Sequence, residues 1–318
     1  MKFFIDTDIG DDIDDALALE YALEKGCEIV GITTVYREAK KRTTIPKKIL
    51  SYKGIDNIPV LAGYSEPISR EAKIFGEMNY SAPDFEEATN SPDKAIEFMA
   101  DCAQKYGKEL CILALGAQTN IAKAWMKYPE KMEKVGLVAI MGGCFTFSQN
   151  EWNIAGDPTA ARIVSESRMR LFYVPWNITK DISIGKENYD YILNYHADNP
   201  QGYLSDLVRQ WKKCNSYIPI LHDPAVLICI FNSDMYESKE SYFYVLDSGP
   251  ASGITLDADD LNLFALQDFP KNKIELVTKT HNEKIADEFM RTVYKKVPVQ
   301  QYDCLGKFAT VRQKTEGE

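Results

Sequence analysis

The chain has 318 residues, 45% hydrophobic and 26% charged, which suffices for one large domain or two ordinary ones. Its 37 Lys and Arg against 47 Asp and Glu leave a formal charge of −10. An acidic chain without a basic stripe argues against nucleic acid or an anionic membrane as partner, and is neutral toward small uncharged ligands.

No apolar run approaches the roughly 20 residues needed to span a bilayer. The start MKFFIDTDIG reaches charged residues too early for a secretory signal. Seven cysteines, at 27, 102, 111, 144, 214, 229 and 304, lack CxxC spacing, and several stand in apolar runs. They are expected to be reduced thiols of a cytoplasmic protein.

In chain order, KFFID (2–6) reads as a buried strand. DDALALEYALEK (14–25) reads as a helix with acidic residues in its first turn and Gly26 beyond its end. EIVGITTV (28–35) is a second strand, 43–54 holds a second helix, and IPVLAG (58–63) is a third strand. Ser91 and Pro92 open a helix over 92–106, followed by a strand at 109–116, a helix at 119–132 and a strand at 135–143. Residues 69–90 are expected to form a mobile loop, and 184–220 to form Tyr- and Trp-rich helices. Both are candidate walls over a pocket. The alternation predicts a single α/β domain over 1–318, with an open, mainly parallel, Rossmann-like sheet and inserted helical and loop segments over the active site.

The distinctive feature is FFIDTDIGDDIDDALAL, which sets Asp6, Asp8, Asp11, Asp12, Asp14 and Asp15 where the first strand passes into the first helix. In open parallel sheets such junctions carry ligands. A helix N-terminus offsets roughly 0.3–1 kcal/mol per carboxylate, too little for six. A hard divalent cation, Ca²⁺ or Mg²⁺, takes oxygen ligands of this type. A solvated turn with an N-cap would account for Asp14 and Asp15 but not for Asp6 and Asp8 ending an apolar strand.

DTDIG followed by DDALAL resembles the signature of the inosine-uridine nucleoside hydrolase family. PVLAGYSEPI, LALGAQTNIAKA, VAIMGG, EWNIAGDPTAA and HDPAV then match in order, so the resemblance spans residues 2–295. It implies hydrolysis of a ribonucleoside to ribose and free base, with Ca²⁺ held by Asp8, Asp15, the carbonyl of Leu115 and Asp223. It further implies Asp8 as the base that activates water and His222 as the leaving-group acid. Asp14, Glu151 and Asn153 would bind ribose, the latter two side by side on an extended segment. A homodimer or homotetramer is also expected on this basis. The chemistry is consistent, since cleavage needs an activated water, a proton for the departing base and support for an oxocarbenium-like transition state.

The match departs from the family pattern in places. Five residues rather than three separate Asp8 from the Asp14–Asp15 pair, so Asp12 competes with Asp14 or Asp15 for a role. Arg37 and Glu38 stand where many relatives carry a Gly-Asn pair, and Ser252 where an arginine is common. Tyr195, Trp211 and Tyr217 lie in the segment where members of the family the chain resembles place base-contacting or leaving-group residues, so purine, pyrimidine and modified nucleosides all remain open. Two other readings of the acidic motif are a DxD-type Mg²⁺ phosphatase and a nucleoside-binding protein without turnover.

Overall fold

The computed structural model describes residues 1–146, 149–257 and 272–295, with the backbone of 301–302 and 308–309. Cys304 lies outside the described residues. The first strands and helices are β1 (Lys2–Thr7), α1 (Asp14–Glu24), β2 (Glu28–Thr34), α2 (Ala39–Arg42), α3 (Thr44–Tyr52) and β3 (Val60–Ala62). Then follow α4 (Pro92–Tyr106), β4 (Leu110–Ala114), α5 (Thr119–Lys127), α6 (Pro129–Met132) and β5 (Leu137–Met141). The second half carries α7 (Trp152–Gly156), α8 (Pro158–Ser165), β6 (Leu171–Val174), α9 (Trp176–Thr179), α10 (Lys186–Leu193), α11 (Pro200–Lys212) and α12 (His222–Phe231). It ends with β7 (Tyr236–Ser241), β8 (Phe243–Val245), β9 (Thr255–Asp257), β10 (Ile274–Thr280) and α13 (Asn282–Tyr294).

Among the described residues the main sheet runs β3-β2-β1-β4-β5-β6-β10-β7, parallel except for the antiparallel edge strand β7. Its inner strands β4, β5 and β6 are apolar throughout because both faces are covered, whereas the edge strand β7 is largely polar and exposed. Phe3, Ile5, Cys111, Leu113 and Met141 pack with residues of α1, α11, α12 and α13, while Phe4, Ile112, Ala114 and Ile140 pack with α4, α5 and α8. The two-residue period of a strand sends neighbours to opposite faces, so each central strand serves two cores.

Strand order places the site. From β1 the chain winds outward to β2 and β3, then returns to β4 on the other side of β1 and continues to β5 and β6. The crevice at such a reversal lies outside the carboxyl ends of the strands. Asp8 follows the end of β1 and Leu115 follows the end of β4. No regular structure occurs between Ala62 and Pro92, a longer irregular stretch than the expected 69–90. The helices expected within 184–220 are α10 and α11.

Candidate functional site

A cavity of about 460 Å³ opens at this reversal and is lined by Asp8, Asp14, Asp15, Leu115, Glu151, Asn153, His222 and Asp223, together with Asp11, Asp12, Gly76, Glu77, Asn79, Met141, Trp152, Trp176, Asn215 and Tyr217. All eight residues singled out in the sequence therefore meet around one space. Asp14, Asp15 and Asp223 converge most closely, each offering a carboxylate oxygen within 4.8 Å of the others. Asp14 and Asp15 come from the first turn of α1, Asp223 from the first turn of α12. Neither helix is capped by a side chain at its start. Asp223 is thus not the N-cap that an Asp-Pro pair suggests; its carboxylate is turned to the cluster.

These carboxylates are buried. Burial above all pushes Asp8, Asp14 and Asp223 well above the usual carboxylate range, with repulsion from neighbouring aspartates adding to it. Asp15 is pushed up to about 7, again chiefly by burial, against the hydrogen bond it accepts from Thr7 Oγ1. Among the described residues no Lys or Arg lines the cavity. Arg42, the buried cation nearby, gives its Nη2 to Asp11 at 3.0 Å and its other donors to the carbonyls of Asp8, Ile9 and Tyr36. Converging buried carboxylates in a cavity that Leu115 also lines are a donor set that suits a hard divalent ion.

The acidic run of the sequence divides into separate jobs. Asp6 leaves the cluster: its carboxylate accepts from Thr33 Oγ1 at 2.6 Å and Asn120 Nδ2 at 2.7 Å, tying β1 to β2 and α5. Asp11 pairs with Arg42. Asp12 accepts from Ile13 N at 2.7 Å and from the Tyr217 hydroxyl at 3.2 Å, and Asp14, not Asp12, belongs to the converging trio.

Glu151 stands in extended backbone, but Asn153 is already inside α7, so the expected extended pair is a helix start instead. Glu151 caps that helix, accepting from the N–H groups of Asn153, Ile154 and Gly143 at 2.9–3.0 Å. Asn153 Nδ2 donates to the carbonyls of Leu115 (2.8 Å) and Met141 (3.1 Å), which holds the end of β4 in place. His222 bonds Thr179 Oγ1 through Nδ1 at 2.7 Å, and burial lowers its pKa to about 4. His196 and His281 are exposed.

Of the three aromatic residues expected near the base, Tyr217 lines the cavity. Trp211 is fully buried beneath it, edge to face at 5.1 Å, and Tyr195 packs away from the cavity on Tyr191 and Tyr294. Ser252 is buried in a loop that packs behind α7. Gly76, Asn79 and Asn215 lie in the segments expected as pocket walls, though none was singled out, and Trp176 was not anticipated because its segment carries no motif. Gly116 has a steric role: a Cβ there would lie 2.9 Å from Asp8 N and 3.0 Å from Asp8 Cγ. Gly116→Ala is therefore expected to displace Asp8 and reduce turnover by up to about 10²-fold; unchanged steady-state rates would show that Asp8 tolerates the shift.

Comparison with known proteins decides the family. The model of the inosine-uridine preferring nucleoside hydrolase family matches residues 3–294. The chain belongs to this family. Uridine nucleosidase 1 of Arabidopsis thaliana is 30% identical to it, over 80% of this chain and 81% of the relative. The pyrimidine-specific ribonucleoside hydrolase RihA of Escherichia coli (strain K12) is 24% identical, over 81% and 94%. Among solved structures, a plant nucleoside hydrolase superimposes with a TM-score of 0.77 at 22% identity, covering 92% of this chain and 98% of the other. A purine-preferring ribonucleoside hydrolase from Gardnerella vaginalis gives 0.73 at 23%, covering 93% and 98%. The mainly parallel sheet is the fold of those nucleoside hydrolases.

Proposed function

We propose that this protein is a calcium-dependent N-glycosidase that hydrolyses a ribonucleoside to ribose and free base. The observation that carries the reading is the convergence of Asp14, Asp15 and Asp223 in the cavity that also holds Asp8, Glu151, Asn153 and His222. Asp8, Asp15, Asp223 and the Leu115 carbonyl would hold Ca²⁺, which, when bound, acidifies a water and orients the ribose hydroxyls.

The chain's own groups supply the rest. Asp8, buried at the strand end, accepts the proton of the attacking water. Asp14, within reach of Asp15 and Asp223, accepts from a ribose hydroxyl. Glu151 and Asn153 bind the sugar farther along the cavity, and Asn153 also braces Leu115. The Thr179 bond fixes the His222 ring and leaves Nε2 for the departing base. Burial disfavours the imidazolium form of His222, so the neutral ring donates a hydrogen bond from Nε2 to the departing base, and the base takes its proton from water.

The substrate is a nucleoside with a purine, pyrimidine or modified base, since the relatives named above divide between uridine, pyrimidine and purine. Among the described residues Cys27, Cys102, Cys111, Cys144, Cys214 and Cys229 form no disulfide, which supports a reducing, cytoplasmic setting. Among the described residues no helix is long and apolar enough to cross a membrane. A panel of nucleosides incubated with the protein and Ca²⁺ and assayed for reducing sugar tests the reaction. Ribose should appear from at least one; none from any nucleoside overturns it.

A further inference from the structure

The turn after β2 holds two consecutive non-glycine residues in the left-handed region, Tyr36 (φ 70°) and Arg37 (φ 51°). Such conformations persist only where the surroundings over-determine them, and they gather at functional sites. Here Tyr36 N donates to Tyr64 O at 2.9 Å, Arg37 N to Ser65 O at 2.8 Å, and Arg42 Nε to Tyr36 O at 3.0 Å. The strained turn aims two side chains at one segment. Tyr36 Oη donates to Lys73 O at 3.1 Å and accepts from Phe75 N at 2.9 Å. Arg37 Nη1 donates to Phe75 O at 2.5 Å and to Gly76 O.

Farther on, the same segment is bonded to the loop between β1 and α1. Asn79 N reaches Gly10 O at 2.7 Å, Asn79 Nδ2 reaches Asp11 O at 2.7 Å, and Tyr80 Oη reaches Asp12 O at 2.9 Å. Asp11 joins the two anchorages, 3.0 Å from Arg42 and 3.8 Å from Arg37. Between them Gly76 (φ 64°) lies so close to Trp152 that a Cβ would stand 2.8 Å from its ring. Gly76 and Asn79 line the cavity, whereas Arg37 does not.

We propose that Arg37 is a positioning residue that, with Asp11, clasps residues 73–80 against the β1–α1 loop and so preforms one wall of the substrate pocket. Arg37 and the β1–α1 loop are then parts of one device, joined through Asp11. The inference rests on the nucleoside-hydrolysis reading for its kinetic consequence, not for its geometry. A protein whose pocket is competent only part of the time binds its substrate more weakly in proportion. The wall touches substrate but not the reacting bond, so the cost falls on KM. A single nitrogen of Arg37, Nη1, makes these contacts, donating to two carbonyls and facing the Asp11 carboxylate.

The test uses the whole protein with Ca²⁺ and the best nucleoside of the panel. Arg37→Ala should raise KM about tenfold or more with kcat changed by less than about threefold. Millimolar guanidinium should restore KM in that variant and leave the wild type unaltered. Unchanged KM, a fall in kcat alone, or a KM that guanidinium does not restore would each overturn the proposal. A second readout needs no activity: trypsin should cut after Lys73 faster in Arg37→Ala than in the wild type, and equal rates overturn it. If Arg37→Ala does not fold, Arg37→Asn, which suits the left-handed backbone and lacks the reach to Phe75 and Gly76, is put through the same proteolysis with the same criterion. Failure of the hydrolase reading would instead show as an inactive wild type with the proteolytic difference intact.

Discussion

Replacing Asp8 by asparagine is expected to lower kcat by about 10²–10⁴-fold, the range general-base catalysis supplies. The change keeps the shape of the side chain and removes its ability to accept a proton. It also deletes one of several mutually repelling buried carboxylates, so the fold should not suffer. Ribose release at saturating nucleoside and Ca²⁺ gives kcat, and a thermal melt reports the fold. A kcat within about tenfold of the wild type would remove Asp8 from the role of base. The Gly116→Ala variant makes an independent check, because it moves Asp8 without altering its chemistry.

Chelation is expected to abolish turnover and to make the stability of the protein fall as pH rises. Asp15 is pushed up to about 7, and Asp8, Asp14 and Asp223 shift in the same direction, with burial the leading cause for each. A group whose folded pKa exceeds its unfolded value binds protons more tightly when folded. Its stabilising contribution is complete below the unfolded value, near 3.8 for aspartate, and is lost as pH rises through the folded value. A bound divalent cation takes the place of those protons. At about 100 times its dissociation constant it would add about 2.7 kcal/mol.

Melting curves between roughly pH 5 and 8, in EDTA or in Ca²⁺, should therefore diverge as pH rises. A gap independent of pH would contradict a cation held by these carboxylates. Asp6, also raised to about 7 by burial, is satisfied by Thr33 and Asn120 and takes no part in the cluster. Its contribution should decline with pH in both series and cancel in the comparison.

Much of the architecture was legible from local pattern. Apolar runs such as LCILA and LVAIM have the length and composition of doubly covered strands, and helices with clear starts, such as the one opened by Ser91 and Pro92, appear where expected. The helix start at Trp152 was missed because the segment before it is extended and the helix is only five residues long. In so short an element the Glu151 cap, not periodicity, carries the signal.

By itself the sequence determined which residues could form the site. An acidic strand end, an Asp pair opening a helix, an EWN segment and an HDP segment each carry a chemistry readable from residue type. The tertiary structure decided which of them act together and which only brace. It separated Asp6 from Asp8, two residues apart, because Asp6 is still within the strand and turns to Asn120 while Asp8 lies past its end. It placed Asp14 rather than Asp12 in the converging trio, since α1 begins at Asp14 and the loop before it is held by Arg42 and residues 79–80. It also showed that Arg37, a departure in the sequence, meets the β1–α1 loop through Asp11. Those bonds link positions 26 to 68 residues apart, and local pattern has no means of encoding such pairings; only the winding of the chain about β1 brings them together.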